Sequence, residues 1–218
     1  MKKESDIKLS IRLLKFFLPF IIGLGLIGIT GFLMKESLRY KFWPLIAGYF
    51  FPPLGKESII PAGVALGIHP LVMALSIAFV DIVVALFLLW NYDLAKKIPI
   101  IGKFIIKIEK IGKSSSDKYA WIKPLRFIGI VLFVIVPFQG SGGFVGSIVG
   151  RLIGMKPINT FFAIAIGAII GTSLIAYFTD AIKSVFVTNF LLGILIIIIL
   201  VTIGLMILIY KKAKNNKK

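Results

Sequence analysis

Cysteine is missing from the chain, which excludes disulfides, thiolate nucleophiles and sulfur-ligated metals at the outset. Histidine occurs once, at His69, too little for a metal cluster or a Ser/His/Asp relay, so no metal, no cofactor and no enzymatic centre is expected. Acidic side chains are scarce: 9 Asp and Glu stand against 26 Lys and Arg, a net charge of +17. A nucleic acid would suit such a charge, but the basic residues lie between apolar runs and not along one soluble face. That distribution is the one expected of membrane topology signals, so no nucleic-acid partner is expected.

What is abundant is apolar. Hydrophobic residues make up 58% of the chain, above the roughly 45–50% of soluble domains. The expected class is an all-α integral membrane protein, a single membrane domain over residues 1–218 with no room for a separate soluble domain. Its expected surroundings are the bilayer and its anionic head groups, and assembly into a homo-oligomer is left open.

Four runs are long enough for helices crossing about 30 Å of hydrocarbon: residues 16–33, 71–90, 158–178 and 190–210. The first follows Lys2, Lys3, Lys8, Arg12 and Lys15; it is longer than a signal-peptide core and lacks a small-x-small cleavage site, so a retained helix is expected. Two further apolar regions, 42–68 and 127–155, are punctuated by Pro44, Pro52, Pro53, Gly55, Pro61, Gly63 and Gly67, and by Pro137, Gly140, Gly142, Gly143, Gly146, Gly150 and Gly154. Broken backbone at membrane depth persists only inside protein or along a wet cavity, so both are read as re-entrant helical hairpins, the alternative being kinked spans.

Charge separates these readings, because a hairpin returns the chain to its starting side. With two hairpins, the N-terminus, the 93–123 loop and the C-terminal tail share the cytoplasmic side with 21 of the 26 basic residues. Lys35, Arg39, Lys41, Lys56 and Lys183 are left on the outer side. Within the loop, Ile101, Phe104, Ile105, Ile108 and Ile111 recur at helical spacing opposite Lys103, Lys107 and Lys110, as in an interfacial helix; a solvated basic loop with a joint at Ser114 to Ser116 is the other reading.

The chain also matches itself. At a constant spacing of 87 residues, Phe51, Gly55, Gly63, Gly67 and Pro70 meet Phe138, Gly142, Gly150, Gly154 and Pro157, and Ile77, Ala78 and Ile82 meet Ile164, Ala165 and Ile169. The aligned Gly and Pro carry most weight, since each has a backbone role. Repeat A covers about 42–92, the cytoplasmic loop 93–124, repeat B about 125–180 and a last helix 190–210. On the topology above, the two units are inverted across the membrane, and a site is expected at their interface near the midplane.

Candidate residues follow from that geometry. Asp81 lies mid-span, where a carboxylate costs about 2.5–3.5 kcal/mol and should face the interior; a hydrogen-bonded structural Asp is the plain alternative. Glu57 is a second proton- or cation-binding candidate, or else a carboxylate favoured at a helix N-terminus. Gln139 sits at the second break beside Ser141 and glycines whose amides suit an anion. Arg151 suits a phosphate or carboxylate, or plain snorkelling. Gly55, Pro61, Gly63, Gly142, Gly143 and Gly150 are expected to shape the hairpin backbone, while His69, Lys156, Arg126 and Asp180 read as boundary residues.

The segments Gly55-Lys56-Glu57-Ser58-Ile59-Ile60-Pro61-Ala62-Gly63, Val136-Pro137-Phe138-Gln139-Gly140-Ser141-Gly142-Gly143 and Gly150-Arg151-Leu152-Ile153-Gly154-Met155 resemble the small multidrug export family over about residues 43–177. More distantly they resemble the DedA or VTT membrane proteins, with paired re-entrant hairpins. The first resemblance implies a small-molecule exporter, which Asp81 and Glu57 would couple to protons. The second implies a flippase or scramblase for a lipid or phosphorylated lipid carrier, with Arg151 on the head group. A non-transporting scaffold is the third reading. Glu57 stands where many members of the first family carry arginine, so that arginine's role is not transferred.

Overall fold

In the computed structural model, residues 2–51, 54–92, 123–137 and 141–188 are described, with a few isolated positions beyond. The described elements are all helical: α1 (Lys2–Leu33), α2 (Glu36–Gly48), α3 (Lys56–Ala65), α4 (Pro70–Trp90), α5 (Lys123–Ile135), α6 (Gly143–Leu152) and α7 (Pro157–Thr188). Three segments are long and apolar enough to cross a bilayer, Ser10–Leu33, Pro70–Trp90 and Pro157–Thr188. The expected fourth span at 190–210 lies almost entirely outside the described residues, and so does the expected interfacial helix around 101–111.

The chain divides into two compact units, residues 1–177 and 178–218; the described part of the second is chiefly the last turns of α7. Within the first unit α4 is the hub, packing against α1, α3 and α6. One buried cluster joins Phe42, Ile46, Ile59, Ile60, Met73 and Ile77. A second joins Ile130, Val134, Ala163, Ile164 and Ala168, and α4 contributes Ala78 and Ala85 to it. Outside these cores the molecule is the reverse of a soluble fold: Leu24, Phe32, Leu33, Phe144, Leu174 and many other large apolar side chains are exposed. So wide an apolar surface calls for lipid.

Each broken region is a helix, a short break and a second helix. α2 and α3 flank residues 49–55, and α5 and α6 flank 136–142. The helix limits recur at the spacing seen in the sequence: Glu36–Gly48 and Lys123–Ile135, Lys56–Ala65 and Gly143–Leu152, and the starts at Pro70 and Pro157 each lie 87 residues apart. The joints recur too. Among the described residues, Gly67 (φ +94°) and Gly154 (φ +80°) are the ones with positive φ, each just past a helix end. In one joint the Gly67 and Ile68 amides donate to the Val64 and Gly63 carbonyls; in the other Gly154 and Met155 donate to Arg151 and Gly150. Such pairing ends a helix by satisfying its last carbonyls, and glycine takes the left-handed position at least cost. Pro70 and Pro157 then open the next helix, where a missing N–H costs nothing.

Several residues read as breakers are not where the chain breaks. Pro44 lies inside α2 and Pro61 inside α3. Gly63, Gly146 and Gly150 lie inside helices as well, where the missing side chain permits close contact: a Cβ at Gly63 would come within 2.6 Å of Met73, and one at Gly150 would run into Thr160. Gly167 and Gly171 bring α7 against the backbone of α5 at Val131 and Ile135 in the same way. Lys56, assigned to the outer side by charge counting, is 2% exposed. It lies in the core because its ammonium has found an acceptor there.

Candidate functional site

Tyr49 and the Gly143 amide meet Asp81 where α4 passes between the two breaks. Asp81 is 4% exposed, in the middle of an otherwise apolar helix. Its Oδ1 accepts two hydrogen bonds, each of 2.9 Å: one from the Tyr49 hydroxyl, at the end of α2, and one from the Gly143 amide, in the first turn of α6. The latter fits only because residues 142 and 143 lack side chains. A Cβ on Gly142 would collide with the Asp81 carboxylate, and one on Gly143 with the Asp81 backbone carbonyl.

Lys56, the first residue of α3, sends its ammonium to the carbonyl of Val134 in the last turn of α5. That carbonyl is one of the last four of its helix, which have no partner within the helix. Burying an ammonium costs several kcal/mol, so this contact needs electrostatic support. Lys56 receives it from Asp81 and Glu57, both of which act on it through space. Both carboxylates also bear on Tyr49. The break between α5 and α6 is thus capped at both ends by side chains from α3 and α4: the Lys56 amine donates at the carbonyl end and the Asp81 carboxyl accepts at the amide end, the sense that the helix dipole favours.

Two oxygen atoms remain over. Asp81 Oδ2 and Glu57 Oε2 are buried and have no hydrogen-bond partner among the described residues. Glu57 folds back over Gly55, where a Cβ would strike its carboxylate. Pro61, four residues on, has no N–H to give the Glu57 carbonyl, so the helix is short of a donor at that point.

Of the sequence candidates, Asp81, Glu57, Gly55, Gly142 and Gly143 come together here. At the glycine-rich break the Gly143 amide is taken by Asp81. Gln139 lies outside the described residues. Gly63, Gly150 and Pro61 serve helix packing or helix backbone. Arg151 is elsewhere: it donates to the Met155 carbonyl at 3.0 Å and lies over the Tyr92 ring at 4.9 Å. His69 caps α4, its Nδ1 accepting from the Leu71 amide at 3.2 Å.

Sequence reasoning passed over Tyr49, Lys56 and the Val134 carbonyl. Lys56 carried one signal, a lone cation beside an acid at the start of an apolar helix.

No curated protein and no solved structure matches the chain. A family model, described as "Putative small multi-drug export protein", matches residues 58–175, from the first turn of α3 through most of α7. The match covers more than half of the 218 residues and takes in α4, the second break and both re-turning joints, so the chain belongs to that family.

Proposed function

We propose that this membrane protein is an exporter of small molecules of the multidrug type, driven by protons that bind and leave Asp81. One observation carries the reading. The carboxylate is buried in the middle of a long apolar helix, with one oxygen held across both breaks and the other without a partner among the described residues. A structural carboxylate at such depth would be expected to have both oxygens satisfied. An oxygen left over in the membrane interior marks a place where a proton or a cation can come and go.

The pathway is proposed to run between two re-entrant hairpins, α2–α3 and α5–α6, inverted with respect to each other, with both termini and the 93–123 loop on the cytoplasmic side. The matching helix limits and the paired positive-φ glycines support a duplicated unit. The positive-inside bias supports its inversion. The units are not chemically equivalent: 87 residues beyond Tyr49, Lys56 and Asp81 stand Val136, Gly143 and Ala168. The titratable groups of the site therefore come from repeat A, and repeat B supplies backbone.

The test is flux in reconstituted vesicles under an imposed pH gradient, with cationic drugs and a fluorescent phosphorylated lipid offered separately. Drug flux lost in Asp81→Asn, which keeps both hydrogen bonds to Oδ1 but cannot titrate, is the expected result. Equal flux by parent and variant at every pH would end the proton role. Lipid movement stopped by Arg151→Gln alone would replace the exporter reading with a lipid translocator.

A further inference from the structure

α1 carries a proline in its interior, and another helix supplies what the proline lacks. Pro19 lies inside α1 with its ring fully buried. Having no N–H, it cannot serve the carbonyl of Lys15, four residues back, and its ring crowds that carbonyl. The Lys15 carbonyl instead accepts from the side-chain amide of Asn91, at the end of α4, at 3.0 Å. The same Nδ2 donates to the Phe87 carbonyl at 2.9 Å, so both of its N–H groups are engaged. Phe87 already accepts from the Asn91 backbone N–H. The side-chain bond to Phe87 therefore aims the amide, and the bond to Lys15 is the one that ties two helices.

The seam continues in antiparallel register along α4. The Phe87 ring lies 5.3 Å from Phe16 and 4.8 Å from Phe20, one residue from each side of the proline. One turn further along, α1 approaches Val83 so closely that a Cβ at Gly23 would come within 3.0 Å of it. The far end of α1 is clamped by α2: Arg39 donates to the carbonyls of Gly31, Phe32 and Met34 at 3.2, 2.8 and 3.3 Å, and Trp43 fills the space beside Gly31. α1 is thus fixed beyond Pro19, while at Pro19 itself an internal bond has been exchanged for one from α4.

We propose that α1 is jointed at Pro19 and that Asn91 is the latch on the joint: the arm of residues 2–18 swings about Phe87 when the Asn91 amide releases the Lys15 carbonyl. A carbonyl served from within its own helix stays satisfied wherever that helix goes. Served from α4, it is satisfied only while the arm lies against α4, which makes the bond conditional on the arm's position. Membrane helices tolerate proline where a neighbour replaces the lost donor. Here the neighbour is the helix that carries Asp81. The joint lies outside both repeats and operates whether or not Asp81 titrates.

The experiment is a pulsed electron-spin distance measurement on the full chain in lipid nanodiscs, with spin labels on cysteines introduced at Ile11 in the arm and Leu75 in α4, both exposed. Asn91→Leu removes the latch, and Asn91→Asp keeps its shape while replacing the amide donor. Pro19→Ala removes the joint, because residue 19 then serves Lys15 from within α1. The parent and Pro19→Ala should each give one narrow distance. Loss of the latch bond should raise the population of a second, displaced distance by about two- to tenfold in Asn91→Leu and Asn91→Asp. Combining Pro19→Ala with Asn91→Leu should restore the single narrow distance, a rescue that plain packing of Asn91 between the helices would not give. A parental distance in both Asn91 variants, or equal broadening with and without Pro19, overturns the latch. If one Asn91 variant loses the parental melting midpoint, the other is read in its place.

Discussion

Tyr49 and Gly143 hold the same oxygen of Asp81, yet their substitution should have unequal consequences. Tyr49→Phe removes one hydrogen bond to a charged group and leaves the ring in place, so a loss of about 1.5–3 kcal/mol is expected in detergent unfolding. Gly143→Ala inserts a methyl group into the Asp81 backbone carbonyl, which cannot yield as a flexible side chain would. Overpacking of that kind costs about 1–3 kcal/mol or more; the lost amide contact adds to it, so Gly143→Ala should be the more damaging of the two. A smaller loss for Gly143→Ala than for Tyr49→Phe would show that α6 can move away from α4. The sequence made Asp81 legible because an acid in an apolar run has no bland explanation. It concealed Lys56 because a lysine beside an apolar run ordinarily marks an interface. The Val134 carbonyl could not be read at all, since a backbone acceptor leaves no trace in residue type.

At the level of the helices, punctuation by Gly and Pro was readable as a class and misleading one by one. The joints at Gly67 and Gly154 were visible as Gly-x-x-Pro in both halves, and among the described residues these are the glycines whose backbone no L-residue adopts cheaply. Gly67→Ala and Gly154→Ala should each cost about 1–2 kcal/mol from the left-handed conformation. Gly129, inside α5, would place its Cβ in open space, and Gly129→Ala should be neutral or stabilise by up to roughly 1 kcal/mol. Melting midpoints of the three variants in one detergent check the order. A joint variant as stable as Gly129→Ala would mean that the αL ends do not govern how α3 meets α4 or α6 meets α7. Sequence could not separate such glycines from Gly63 and Gly150, because tight packing and tight turning select the same residue.

Across the whole molecule, the proposed topology makes a statement about sides. If α2 and α3 enter and leave by one face, single cysteines at Lys41 and His69 should label from the same side of the cell membrane, and clean labelling is possible because the chain has no cysteine of its own. Labelling from opposite sides would make α2–α3 a span and overturn the inversion. The caps on the second break have a kinetic consequence as well. Lys56 and Asp81 hold opposite ends of a single gap, α5 at one and α6 at the other. Releasing one end alone leaves a buried polar group without its partner, which costs about 1–3 kcal/mol. Intermediate openings are therefore the least populated, and the two halves part at both ends together or not at all. Single-molecule distance measurements across the gap should record abrupt jumps between two fixed values.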